Sequence, residues 1–318
     1  MHASPLFGLT PDPRTLAVAI AIDVFLGDPP NAVHPVAWMG RFANALVRRA
    51  PATGPARQLA AGTLIVLAVS GVCLGSLAIV ACATASTPRL AFWLGASLLS
   101  CMFAIKGLGA AGRVVRDALA NGHVGQARQG LSALCSRDAS ALEEPELAAA
   151  TVESLAENLS DSFVAPLLAY ALFGLPGAVI YRAANTLDAM IGYRGRFEFL
   201  GKVAARLDDL LNLLPARLTA GLLLGAGALT EAHVGDGLRL LRRDRRKTAS
   251  PNAGWPMATM AGLLGVCLSK PGHYRLGDEG RAVTFEDIDR AWRVVAVAAA
   301  LAVALTMIAV MVRSAYGL

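Results

Sequence analysis

Charged residues are spaced so unevenly along this chain that the uncharged blocks between them set its architecture. Residues 59–83 run for twenty-five positions without a charge, and after Pro88 and Arg89 a second uncharged block covers 90–105. A helix rises 1.5 Å per residue and a bilayer core needs about 20 residues, so the first block spans alone and the second with its flanks, as a hairpin. Residues 163–181 and 294–312 are two more uncharged blocks of spanning length, and 210–230 is a third apolar one that holds Arg217. Residues 16–26 form a shorter one that holds Asp23. It is either a membrane-edge helix or a first span whose aspartate faces protein or a water-filled cavity. No basic leader precedes it, so it reads as retained and not as a cleaved signal.

Composition supports lipid as the partner of these blocks. Of 318 residues, 55% are hydrophobic and 16% charged, against about 25% charged in an ordinary soluble domain. The predicted fold is all-α, a polytopic integral membrane protein of five to seven spans, with amphipathic or re-entrant helices carrying the polar motifs. Residues 1–318 read as one membrane-embedded domain. A six-span arrangement puts the polar segments 28–58, 106–162 and 231–293 on one side. Their arginines and lysines make that side cytoplasmic. Residues 182–209 then fall opposite although they too are basic, which a missed span or a re-entrant segment would resolve; the apolar stretch 255–268 reads as a re-entrant or a buried helix.

Small residues at Gly71 and Gly75, and at Gly221 and Gly225, allow close helix contact and specify no chemistry. The five cysteines form no Cys-x-x-Cys pair, and four lie in apolar blocks, so no disulfide or metal site is read from them. The net charge of +6 fits basic juxtamembrane segments such as 242–247 against anionic lipid. Nucleic acid is excluded as a partner because no binding motif accompanies the basic residues. Gly107, Gly109 and Gly112 match the dinucleotide-loop spacing, but they follow a membrane-like block where that fingerprint needs a short strand. A Walker-type loop is also absent from the sequence.

Five polar constellations remain. The first, GDPPNAVHPVAWMG, holds Asp28 and His34 on a proline-stiffened turn. In the second, ESLAENLSDSFVAPL, Glu153, Glu157 and Asp161 recur every four residues on one helix face, with Asn158 beside them. Like charges at that spacing destabilise a helix, so the face is either solvated or a divalent-metal site. Oxygen ligands suit magnesium with a phosphate better than structural zinc. The third, YRAANTLDAMIGY, repeats Arg182, Asn185 and Asp188 at three-residue intervals and ends at Tyr193. The fourth, AARLDDLLNLLPARLTA, carries Arg206, Asp208, Asp209, Asn212 and Arg217, whose arginines suit bidentate phosphate contacts. The alternative for both is a salt-bridge network at the lipid interface. In the fifth, SPNAGWPMATMAG, Ser250, Asn252 and Gly254 form a turn whose backbone N–H groups could converge on an anion.

In this order and separation the five segments resemble the adenosylcobinamide-phosphate synthase family of cobalamin biosynthesis, the CobD/CbiB proteins. The resemblance implies a multi-pass enzyme of the inner membrane, its active site facing the cytoplasm. It implies ATP-dependent amide formation between the free propionate carboxyl of adenosylcobyric acid, a corrinoid, and aminopropanol phosphate or ethanolamine phosphate. ATP and Mg2+ are the implied co-substrate and metal, and other corrin-pathway enzymes are candidate partners. On that basis Asp28, His34, Asn185 and Asp188 are the catalytic candidates. Arg182, Tyr193, Arg206, Arg217, Ser250, Asn252 and Gly254 are the substrate and phosphate candidates. Glu153, Glu157, Asp161, Asp208 and Asp209 are the metal candidates, with Asn158 and Asn212 as further motif residues. Met257 departs from a glutamate usual in the family, and Lys270 and Pro271 from a glycine pair. The competing class is a transporter or non-catalytic membrane partner of corrin enzymes.

Overall fold

A computed structural model describes residues 9–193 and 195–316. The chain forms α1 (Pro13–Phe25), α2 (Pro35–Val47), α3 (Pro55–Thr84), α4 (Pro88–Ser100), α5 (Ile105–Ala120), α6 (Val124–Leu131) and α7 (Glu144–Leu159). A π-helical turn at Ser160–Val164 leads into α8 (Ala165–Ile191), then α9 (Lys202–Leu211), α10 (Leu213–Leu229), α11 (Val234–Asp244) and α12 (Gly254–Leu264). A small antiparallel hairpin, β1 (Leu268–Lys270) and β2 (Tyr274–Leu276), pairs Ser269 with Arg275 before α13 (Phe285–Tyr316). Helix starts follow local chemistry. Proline opens α1 to α4, where its missing N–H costs nothing. Glu143 and Glu146 close a capping box on α7.

Four helical stretches are long and apolar enough to cross a membrane: Pro55–Thr84, Pro88–Ala120, Glu144–Ile191 and Phe285–Tyr316. The pair α9 and α10, bent by 45°, makes a fifth if it counts as one span. Only 22% of the apolar window of α3 is buried inside the protein, so most of that helix is left for lipid. The fold is therefore the expected multi-pass helical type, with four or five candidate spans. Helix α1 has 13 residues, about 20 Å, short of the roughly 30 Å hydrocarbon core. Its Asp23 is buried. Residues 255–268 form no span: α12 is buried along its length and runs into the hairpin.

The chain divides into two compact units. The first takes the described parts of Met1–Ala104, Ala165–Leu211 and Leu305–Leu318. Its core joins Ala43, Ile65, Val66, Val69, Ala183, Leu187 and Ile191 with Leu200 and Ala204. Gly62 lets α3 close on the Leu200 carbonyl, where a Cβ would collide. A kink breaks α8 at Gly174, which adopts φ 67° and ψ −159°, a conformation open to glycine. The kink strands backbone groups, and each finds a partner. The Leu175 N–H donates to the Leu9 carbonyl at 2.9 Å. Pro176 supplies no N–H, and Arg313 donates to the Ala171 and Leu172 carbonyls instead.

The second unit takes Ile105–Val164 and Asn212–Ala304. Helix α12 is its centre and packs against α7, α10 and α11. Its end is set by Gly265 in the left-handed region, the usual way to stop a helix and turn the chain.

Candidate functional site

In the first unit the proline-stiffened turn places Asp28 and His34 as a pair. His34 caps α2: its Nδ1 accepts the Val36 N–H at 3.1 Å, and its Nε2 lies 3.3 Å from Asp28 Oδ1. An accepting Nδ1 leaves the proton of a neutral ring on Nε2, so His34 donates to Asp28. Asp28 and His34 therefore form one hydrogen-bonded pair.

The third and fourth motifs meet within the same unit. Arg182 and Asn185 lie on α8, and Arg182 Nη1 donates to Asn185 Oδ1 at 3.5 Å. Asn185 Nδ2 donates to Asp208 Oδ1 on α9 at 3.3 Å. Cation, amide and carboxylate thus run in a chain across two helices. Asp188 packs against Gly192, where a Cβ would strike its carboxylate, and Tyr193 is exposed. Asp209 meets Arg206 at 3.6 Å, but Arg206 is 76% exposed, so that pair contributes little. Asp208 and Asp209 are both partly exposed. Magnesium commonly uses one or two carboxylates together with substrate phosphates, and this oxygen donor set fits that need. Among the described residues no three His, Cys, Asp or Glu side chains gather closely enough to hold a metal by themselves.

Glu153, Glu157, Asn158 and Asp161 belong to the second unit. The four-residue repeat does not continue regularly through Asp161, because that residue sits in the π turn. Nor is the face solvated at Glu153, whose side chain is 6% exposed. Arg137, 10% exposed, approaches it at 3.6 Å, and the Tyr274 hydroxyl donates to Oε2 at 3.2 Å. Burial first, and then Glu153 and Glu157, raise the Tyr274 pKa far above the phenol range, so the hydroxyl remains a donor. Met257 Sδ stands 4.0 Å from the same hydroxyl. The departure at 257 therefore leaves this buried group with one carboxylate fewer than a glutamate would bring. Asn158 ties the preceding loop to α7, donating to the Leu134 carbonyl at 3.3 Å and the Ser154 carbonyl at 3.0 Å.

The fourth motif is divided at Asn212, which is buried at the start of α10, so Arg217 joins the fifth motif in the second unit. Arg217 donates to Asn252 Oδ1 at 3.3 Å. Its guanidinium lies 4.5 Å from the centre of the Trp255 ring, and that of Arg245 lies 5.2 Å away. The turn does not direct its N–H groups outward as expected. Ser250 Oγ accepts from Asn252 N at 3.2 Å and Ala253 N at 3.4 Å, and Trp255 N donates to the Asn252 carbonyl. Gly254 serves packing, since a Cβ would strike the Arg245 carbonyl. The cations of this corner, more than its backbone, offer anion contacts.

Sequence patterns passed over Arg137, Tyr274, Trp255 and Asp244. Asp244 is fully buried. Arg243 grips it with two hydrogen bonds of 2.7 and 2.8 Å, Gly277 N donates at 2.8 Å and Lys247 Nζ stands at 2.6 Å. Burial alone would raise its pKa, but Arg243, the Gly277 N–H and Lys247 outweigh it and hold the carboxyl well below the usual range. The unfolded chain therefore binds this proton more readily. The stabilisation is complete above about pH 4 and fades as pH falls further. Replacing Asp244 with Asn should cost about 2–3 kcal/mol at pH 7. Thermal unfolding in detergent should show the gap between wild type and variant closing as the pH falls below about 4.

These five motifs lie within a longer similarity. The family profile described as CobD/Cbib protein matches residues 16–311. A protein of Dehalococcoides mccartyi named cobalamin biosynthesis protein CobD is 42% identical over 83% of this chain and 86% of its own length. One of Thermococcus kodakarensis, named probable cobalamin biosynthesis protein CobD, is 44% identical over 87% and 88%. A Yersinia enterocolitica protein named cobalamin biosynthesis protein CobD is 38% identical over 91% and 94%. No solved structure matches. With a profile match over most of its length and relatives this similar along nearly their whole chains, the protein belongs to the CobD/Cbib family.

Proposed function

We propose that this chain acts in cobalamin biosynthesis as an ATP-dependent ligase. It would join the free propionate carboxyl of adenosylcobyric acid to the amine of aminopropanol phosphate or ethanolamine phosphate. The observation that carries the reading is the chain of Arg182, Asn185 and Asp208 across α8 and α9. A cation for phosphate oxygens, an orienting amide and a carboxylate are there held by rigid helices.

A carboxylate does not acylate an amine directly, because oxide would have to leave. In the proposed sequence a carboxyl oxygen attacks the γ-phosphorus of ATP, the bond to the bridging oxygen breaks and ADP departs. The amine nitrogen then attacks the acyl phosphate carbon, inorganic phosphate leaves and the nitrogen gives up a proton. Arg182 binds phosphate oxygens, and Asn185 fixes the Asp208 carboxylate. Asp208 and Asp209 would hold magnesium together with substrate phosphates, and the metal would supply positive charge to the transferring group. Asp28, oriented by the His34 Nε2–H, takes the amine proton, with Asp188 as the other carboxylate of that unit suited to the task. The sites face the cytoplasm, where ATP is present.

Purified protein given adenosylcobyric acid, ATP, magnesium and either amine should yield an amide product by mass spectrometry, and none when ATP is withheld. The preferred amine identifies the second substrate. Folded protein that makes no amide from either amine overturns the ligase reading in favour of a non-catalytic role.

A further inference from the structure

Helix α2 presents a second chemistry that the proposed reaction does not use. Trp38, Arg41, Phe42 and Ala45 recur at intervals of three, four and seven, and Arg48 and Arg49 follow them in the turn that ends the helix. At 100° per residue these positions occupy about one third of the helix circumference. Met39, Ala43, Leu46 and Val47, on the other side, pack into the core with α3 and α8. The outer arc is exposed, with Trp38 51% open. Arg41, Asn44, Ala45, Arg48 and Arg49 line an open cleft of about 460 Å³.

The charge in this cleft is uncompensated. The sequence has no aspartate or glutamate between Asp28 and Asp117, and none of the three arginines pairs with a carboxylate among the described residues. Arg41 donates to the Asn31 carbonyl at 3.2 Å and Arg49 to the Ala45 carbonyl at 3.2 Å. The Arg48 side chain makes no hydrogen bond or ion pair among the described residues, its backbone N–H donating to the Asn44 carbonyl at 3.0 Å. The basic run at 242–247 differs, because Arg243 and Lys247 close on Asp244 and Arg245 lies over Trp255. Arg242 and Arg246 of that run stay exposed and keep it open to anionic lipid as well.

The aromatic half of the arc points to the occupant. The Trp38 indole N–H donates to the Ala32 carbonyl at 2.8 Å, which holds the ring in place while half of it stays open. Phe42 and Val33 are exposed nearby. Helix α3, a candidate span, begins at Pro55, soon after Arg49. Aromatic rings beside arginines at the foot of a span suit the headgroup layer, with the rings among upper acyl carbons and the cations at phosphate. A soluble phosphate would use the arginines and leave the rings idle.

We propose that α2 is an interfacial helix, and that Arg41 on it and Arg48 and Arg49 in the turn that ends it bind the phosphate of an anionic phospholipid. The site is independent of the ligase reading. The test is native mass spectrometry of delipidated full-length protein in detergent, titrated separately with phosphatidylglycerol and phosphatidylcholine. An arginine near an anionic surface contributes roughly fivefold in affinity, so the triple Arg41→Gln, Arg48→Gln, Arg49→Gln variant should bind phosphatidylglycerol on the order of 100-fold more weakly. Phosphatidylcholine binding should hardly change. Arg48→Gln alone removes no side-chain hydrogen bond or ion pair among the described residues, so it isolates binding from folding and should show about a fivefold loss. Unchanged phosphatidylglycerol affinity in both variants overturns the proposal. Displacement of the lipid by millimolar inorganic phosphate also overturns it and assigns the cleft to a soluble phosphate. Trp38→Ala should weaken lipid binding alone.

Discussion

Glu153→Ala should destabilise the detergent-purified protein by about 3–5 kcal/mol, the range found when one partner of a buried ion pair is removed. Arg137 is 10% exposed and would keep its charge without a carboxylate, and Tyr274 would lose the acceptor of its 3.2 Å hydrogen bond. Neither group reaches water freely. Glu153→Gln should cost less, because a side-chain amide still accepts from Tyr274, but Arg137 would remain uncompensated. The informative partner is the double variant Arg137→Met with Glu153→Met. Exchanging a buried pair for apolar side chains of similar volume is often neutral or stabilising, so this variant should recover most of the lost stability. Thermal unfolding in detergent reads all three. A double variant as unstable as Glu153→Ala would show that the pair is not the source of the cost. A stable double variant that makes no amide would separate a chemical role for Glu153 from its structural one.

That cluster also marks the limit of what the sequence reveals. Long uncharged blocks report lipid-facing helices because each position contributes independently, and the blocks at 59–83 and 294–312 reappear inside α3 and α13. The shorter block at 255–268 carries the same hydropathy signal but faces protein, since α12 is buried along its length. Hydropathy does not distinguish the two environments. Motif residues that meet along one helix or across a short loop were legible, such as Asp28 with His34 and Arg182 with Asn185. The partners of Glu153 were not, because Tyr274 lies 121 positions away and no periodicity links residues at that distance. The repeat of Glu153, Glu157 and Asp161 suggested one acidic face. A π turn at Ser160–Val164 and a buried guanidinium changed its meaning, and neither follows from spacing. Asp244 was hidden in another way: it stood inside a basic run whose excess charge suggested a solvated or lipid-facing surface. Burial of that one carboxylate organises the nearest cations around itself.

Asp208→Asn should lower kcat/KM for amide formation by about 10²–10³-fold, as when one electrostatic contact to a reacting group is lost. The substitution is chosen because the structure offers two accounts of this carboxylate. Asp208 Oδ1 accepts from Asn185 Nδ2 at 3.3 Å, and if anchoring α8 to α9 were its whole task, a side-chain amide would accept the same bond and activity would survive. If its task is to hold the metal with the nucleotide, the neutral amide is a far weaker oxygen ligand and the reaction fails while the helices stay packed. Two readouts separate the cases. The magnesium concentration giving half-maximal rate should rise in the Asp208→Asn enzyme, whereas an anchoring role predicts no change. Asn185→Ala removes the donor but leaves the carboxylate its charge, so it should lower activity and shift the magnesium dependence less than Asp208→Asn does. An Asp208→Asn enzyme with wild-type rate and magnesium dependence would remove Asp208 from the proposed chemistry, and with it the reason for placing phosphoryl transfer between α8 and α9.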